Sequence, residues 1–183
     1  MSSNLDIFLA QRKPFFETSV LWGGGTLPLR ECHYFSQELP PLEYITSVRS
    51  IVFKEESVLV LGNRDGRHIV PGGRCEANET LEETLHREVR EETGWAISVV
   101  GLLGFVHFHH LNPKPSGYVH PHPDFIQVVY VSEAQDFNPE HRLVGDYETE
   151  AGFHPLEEVR KLDISIYGRG YLEAAFEARR RGQ

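Results

Sequence analysis

Glu88, Glu91 and Glu92 crowd into one short stretch that begins at Arg87 and ends at Gly94. The surrounding residues are helix formers, so their angular positions can be worked out. With Glu88 at zero, Glu92 lies about 40° to one side and Glu91 about 60° to the other, at roughly 100° per residue. Leu81, Leu85 and Val89 fall at about 20°, 60° and 100° on the same wheel. Three carboxylates therefore share an edge with the apolar stripe, and that edge should be partly shielded from water. Glu91 has Arg87 one turn away, but Glu88 and Glu92 have no base at the three- or four-residue spacing. Like charges one turn apart destabilise a helix by a few tenths of a kcal/mol, and partial burial raises the cost. One compensation is a hard divalent cation, which takes carboxylate and water ligands and bridges to phosphate. The other reading is a solvated acidic face.

The elements that must hold these residues can be traced along the chain. Thr80-Leu81-Glu82-Glu83 fits a capping box, and Gly94 stands where a glycine ends a helix, so a helix is predicted from Thr80 to about Thr93. Gly72 and Gly73 precede it, letting backbone approach a ligand and a carbonyl point toward a metal. Arg87 has Glu83 and Glu91 four residues to either side and can brace the ridge. Before the helix, Ile45–Phe53 and Ser57–Leu61 read as strands joined by a charged turn, and His68–Val70 as a short extended piece. After it, Ile97–His110 and Asp124–Ser132 read as strands. The proline-bearing segment Leu111–Pro123 reads as a loop. Gly152–Phe153 marks another strand, and Pro155–Leu162 and Gly170–Arg181 read as helices. Upstream of Pro40-Pro41, two β-rich runs flank Gly23-Gly24-Gly25 and predict a hairpin, with Pro28 placing the second arm on an edge. The expected class is α/β or α+β, a mixed sheet with helices on its faces.

The bulk numbers exclude several alternatives. The chain has 183 residues, 18 Lys+Arg and 27 Asp+Glu, for a net charge of −9. A basic surface for sequence-independent nucleic-acid binding is not expected, so an anionic substrate would need a bound cation to neutralise it. No apolar run reaches the ~18 residues of a membrane span, and Met1–Lys13 lacks the features of a signal peptide. Cys32 and Cys75 are far apart in sequence, which suits a reducing, cytoplasmic setting.

The segment from Gly73 to Trp95 resembles the Nudix box, G-x5-E-x7-R-E-U-x-E-E-x-G-U with U a bulky apolar residue. Gly73, Glu79, Arg87, Glu88, Val89, Glu91, Glu92 and Gly94 match at the required spacings, and Trp95 takes the last position, where Ile, Leu or Val is commoner. The strands on either side follow the family's order, while the first 44 residues lie outside the resemblance. The resemblance implies an α/β/α sandwich, here at residues 45–183, with residues 1–44 as an extension. It also implies hydrolysis of a nucleoside diphosphate linked to another group, with Mg²⁺ or Mn²⁺. Carried over by position, Glu88, Glu91 and Glu92 would be catalytic and would ligate metal, joined by the carbonyl of Gly72 or Gly73. Glu79 and Arg87 would support the loop. A further carboxylate is expected from Asp146, Glu148 or Glu150, with Glu150 first.

Other residues are open to two readings each. Arg49, Arg64, Arg67 and Arg74 could hold phosphate oxygens or be surface charges. Tyr118, Phe125 and Tyr130 could stack on a base or fill the core. His107 and His109 share a strand face, but none of the ten histidines shows a diagnostic zinc spacing. They are expected to line a pocket or to be ordinary polar residues. The partners expected are a small nucleotide and, through the N-terminal hairpin, a second copy of the chain. No membrane and no sequence-specific nucleic acid are expected. A nucleotide-sensing module without catalysis is the alternative. An isopentenyl-diphosphate-isomerase-like reaction would need a pocket cysteine, and Cys75 in the box loop is a poor candidate.

Overall fold

The computed structural model describes residues 2–63, 66–119, 121–143 and 148–181, with the side chains of 148 and 149 excepted. Helix α1 spans Asn4–Ala10, and β1 (Phe16–Trp22) and β2 (Leu27–Phe35) follow. Then come β3 (Ile45–Lys54), β4 (Ser57–Asn63), β5 (Gly66–His68) and α2 (Leu81–Thr93). The chain continues through β6 (Trp95–His110), β7 (Asp124–Phe137), β8 (Glu148–Pro155), α3 (Leu156–Val159) and α4 (Ile166–Arg181). The contacts divide into two units, Met1–Thr46 with Gly104–Val128, and Ser47–Leu103 with Val129–Gln183.

In the first unit, β1 and β2 form the expected hairpin, from Phe16 opposite His33 to Trp22 opposite Leu27. β2 then pairs with β6, from Leu29 opposite His110 to Phe35 opposite Gly104. The expectation that Pro28 marks an edge is therefore corrected, because β2 lies between β1 and β6. Proline is tolerated there because its missing N–H falls one residue before the ladder with β6 begins, while its carbonyl accepts from the Leu111 N–H at 3.0 Å. α1 was not expected. Ser3 Oγ accepts from the Asp6 N–H and Asp6 accepts from the Ser3 N–H, a capping box that starts a seven-residue helix. Leu5 is buried, and Phe8 packs on Phe105. Phe125 stacks on Phe108, and Trp22 leans on both rings.

In the second unit, β3 turns tightly into β4, with Lys54 opposite Ser57, and β8 pairs along β4 on the other side. Val58 to Leu61 are all buried, as expected for a strand covered on both faces. Leu85 and Val89 of α2 are fully buried, as are Val159 of α3 and Leu172 of α4 or nearly so. Thr46 donates to the Ile126 carbonyl and, further along, Ser50 meets Ser132 at 2.8 Å. β3 and β7 therefore run the same way, while β1–β2, β2–β6, β3–β4, β4–β5 and β4–β8 pair antiparallel, and the sheet is mixed. The class is α+β. β7 and α4 extend beyond their predicted bounds. Arg179 pairs with Glu133 and lies over Phe53, so the basic end of α4 is tied to the sheet and does not rest on the helix dipole alone. Among the described residues, no helix is long and apolar enough to cross a membrane.

Candidate active site

The site is assembled where the loop before α2 runs beside β3. The Val48 N–H donates to the Gly73 carbonyl at 2.9 Å and the Ser50 N–H to the Pro71 carbonyl at 3.0 Å. These bonds fix the loop like an added strand. Its closeness to β3 requires glycine: a Cβ on Gly72, whose φ is +133°, would lie 2.3 Å from the Val48 carbonyl oxygen. α2 is fixed at both ends. Thr80 and Glu83 exchange the two capping bonds at 3.1 and 2.8 Å, and Gly94 adopts φ +79° to close the last turn.

Between loop and helix, two of the three expected carboxylates are held in place. The Gly72 N–H donates to Glu92 Oε2 at 2.8 Å. The Glu88 carboxylate lies against Gly73 so closely that a Cβ there would be 2.3 Å from it. Glu88 is 17% exposed, Glu92 21% and Glu91 36%, so the edge is shielded as its overlap with the apolar stripe requires. Arg49 reaches from β3 to within 4.0 Å of Glu92 Oε1.

Arg87 is the hub. Its guanidinium donates twice to Glu79, at 2.8 and 2.9 Å, once to Glu88 at 2.8 Å, and to the Arg74 carbonyl at 3.2 Å. Glu91 stands 3.4 Å away. The bidentate pair with Arg87 holds the Glu79 carboxyl down at about 2, and the same pairing pushes the guanidinium further up. The expectation that Glu88 lacks a cationic partner within the helix is corrected here. Arg87 is its immediate neighbour in sequence, a spacing that helix geometry disfavours, but the long arginine side chain reaches across. Glu83, expected to brace Arg87, is engaged with Thr80.

The remaining expected residues are placed as follows. The Glu150 carboxylate lies over Gly62, opposite it in the β4–β8 ladder, with Arg67 at 3.6 Å. Arg74 is exposed, and its backbone bridges to Ser47. Arg64 and Asp146 lie outside the described residues, as does the side chain of Glu148. Trp95 packs edge-on against Phe153, with the Lys54 ammonium 4.3 Å over its ring. Burial pushes the Cys75 thiol up, which keeps it protonated and unsuited to acid–base work at neutral pH. A cleft of about 550 Å³ opens beside Glu91, lined by His86, Arg90 and His141 among others.

The NUDIX domain family model matches residues 43–174. This chain belongs to that family. A Caenorhabditis elegans protein named as a nudix hydrolase is 55% identical over 38 residues, 21% of this chain and 10% of that protein. An ADP-ribose pyrophosphatase of Methanocaldococcus jannaschii is 31% identical over 120 residues, 63% of this chain and 64% of that protein. The chain thus spans less than two thirds of either curated relative. The crystal structure of a Bacillus subtilis pyrophosphohydrolase is similar in fold, with a TM-score of 0.59 at 17% identity over 88% of this chain and 97% of that one.

Whether this Nudix site suits a divalent cation can be judged from its donors. They are carboxylate and carbonyl oxygens, the set preferred by Mg²⁺. Among the described residues, the three glutamates are not gathered within 4.8 Å of one another. Mg²⁺ does not demand that, because it keeps several waters and uses one or two carboxylates. The donor set fits.

Proposed function

We propose that this Nudix domain hydrolyses the pyrophosphate linkage of a nucleoside diphosphate joined to another group. The observation that carries the proposal is the clamping of Glu88 and Glu92 onto the Gly72–Gly73 loop, which leaves two oxygen ligands at fixed positions on a capped helix. Glu88 and Glu92 would hold Mg²⁺, or Mn²⁺, with Glu91, the Gly73 carbonyl and Glu150 completing the set. The Gly73 carbonyl already accepts one bond from Val48 and has a second lone pair to offer. When bound, the cation neutralises phosphate charge and polarises the P–O bonds.

The chain's own residues do the rest. Glu79 and Arg87 hold the ridge. Glu91, the most exposed of the three, borders the cleft and can take the proton from a water that attacks phosphorus. The bond to the bridging oxygen breaks and the leaving phosphate departs. Arg49, Arg67 and Arg74 are the candidates for gripping phosphate oxygens, with Arg49 favoured by its position beside Glu92. Arg64 is a further candidate from the sequence. The resemblance to an ADP-ribose pyrophosphatase makes ADP-ribose the first substrate to try.

Residues 1–44 fit an N-terminal extension to this domain, since the family match begins at 43. A homodimer built on that hairpin goes with the same reading, and a monomer in light scattering would count against it. Two free thiols accord with a cytoplasmic setting.

Formation of a nucleoside monophosphate from a nucleotide panel with Mg²⁺ tests the function. Glu91→Gln and Glu92→Gln should each lower turnover by orders of magnitude with the fold retained. Tight nucleotide binding without turnover in the parent protein would instead favour a sensing module.

A further inference from the structure

We propose that His107, His109 and Asp124 form a second metal site, one for a divalent transition ion of the zinc, cobalt or iron(II) kind. All three residues belong to the first unit. His107 and His109 are two apart on β6, so both rings lie on one face, and Asp124 is the first residue of β7, the returning strand. His107 Nε2 and His109 Nδ1 each lie 2.7 Å from the same oxygen, Asp124 Oδ1. One ligand atom from each residue lies within 4.8 Å of the other two.

The donors distinguish this site from the glutamate ridge. Two imidazole nitrogens and one carboxylate oxygen suit zinc, iron or cobalt, whereas magnesium prefers oxygen alone. Three protein ligands with further positions open to water are typical of reactive sites. Without metal, each imidazole must present an N–H to Asp124 Oδ1, so two protons converge on one oxygen. An ion placed between the three groups would replace both hydrogen bonds, each ring binding it through the nitrogen that now faces Asp124 and moving its single proton to the other nitrogen. The burial is graded: His107 is 4% exposed, Asp124 22% and His109 34%. The inner ligand is fixed by the sheet, and the outer one leaves a way in. An ion held there would tie β6 to β7 at the base of the Leu111–Pro123 segment.

The test is titration of the full chain with Co²⁺, read by visible ligand-field absorption, and with Zn²⁺, read by calorimetry. Both are run in excess Mg²⁺ so that the glutamate ridge does not compete. One equivalent is expected to bind, and Asp124→Asn and His109→Ala should each weaken binding by about 100-fold. His107→Ala is less informative because that ring is buried and its loss can disturb the fold. His109→Ala removes a half-exposed ring and keeps the experiment decisive. Glu92→Gln should bind Co²⁺ as the parent does. No saturable binding in Mg²⁺, or equal binding by the parent, Asp124→Asn and His109→Ala, would overturn the proposal.

Discussion

Replacing Gly73 by alanine perturbs the position of one carboxylate and little else. A Cβ at residue 73 would lie 2.3 Å from the Glu88 carboxyl carbon and Oε2, and 2.5 Å from Oε1. Ordinary contact needs about 3.5–4.0 Å, so the Glu88 head must retreat by more than about 1 Å. The obstructing atoms are the far end of a flexible side chain, so the backbone need not move. The retreat strains the 2.8 Å bond from Arg87 to Glu88, a half-screened pair whose loss costs about 1 kcal/mol or less. For a chain of this size that lowers the melting temperature by roughly 2–4 °C. A catalytic group misplaced by about 1 Å can cost on the order of 100-fold in rate. Steady-state turnover with Mg²⁺ and a thermal melt of the same preparation measure the two effects separately. The double variant with Glu88→Gln should be no slower than Glu88→Gln alone, since both changes remove the same carboxylate. Gly72→Ala is the contrasting case. Its Cβ would meet the Val48 carbonyl oxygen at 2.3 Å from a backbone with φ +133°, so it should destabilise the fold by about 1–3 kcal/mol or more. If Gly73→Ala turns over at the parent rate, Glu88 does not act where this reasoning places it.

Three further outcomes follow from the same site. Glu79, held at about 2, has its folded-state pKa below the ordinary 4.5. Its contribution to stability is therefore complete above about 4.5 and is lost as pH falls toward 2. Denaturant melts at stepped pH should show Glu79→Gln shedding less stability over that window than the parent, and equal slopes would contradict the assignment. Thr80→Ala removes the side-chain half of the capping box and should cost about 1 kcal/mol in denaturant unfolding, with turnover falling far less than in Glu88→Gln. Arg49→Ala should raise KM for a pyrophosphate substrate at least tenfold if its guanidinium grips phosphate, and an unchanged KM would remove it from the site.

What could be read from the sequence depended on how local the physics was. The α2 helix was legible because Thr80, Glu83 and Gly94 act within one turn of themselves. The shielding of Glu88 and Glu92 was legible because it follows from the phase of Leu85 and Val89. The Glu88–Arg87 pair was missed because the three- and four-residue rule ignores a neighbour whose side chain is long enough to bend back. The bond from Gly72 to Glu92 spans 20 residues and depends on where β3 seats the loop, which periodicity does not reveal. α1 was missed although Ser3 and Asp6 carry its start signal, because seven residues are too few for a hydrophobic period to emerge. Pro28 misled because the edge rule concerns a missing donor, and at that position no ladder partner requires one. His107 and His109 were seen to share a face, but their third partner arrives through the β6–β7 return.

Arg87 supports the whole glutamate ridge. One guanidinium serves Glu79, Glu88 and Glu91 together with a backbone carbonyl. A lysine has a single head group and could not span that fork. The count remains unequal, since this one guanidinium faces Glu79, Glu88 and Glu91 and also Glu76 at 3.9 Å, and Glu92, with Arg49 4.0 Å from it, adds a further carboxylate. The arrangement thus fixes the carboxylates without neutralising them. The two most shielded, Glu88 and Glu92, are also the two pinned to the loop by glycine contacts, so the excess negative charge is concentrated where it can move least. A purely structural salt-bridge network would gain by balancing its charges. This one is rigid and left acidic, which favours a cation and, through it, a substrate that the chain's net charge of −9 would otherwise repel.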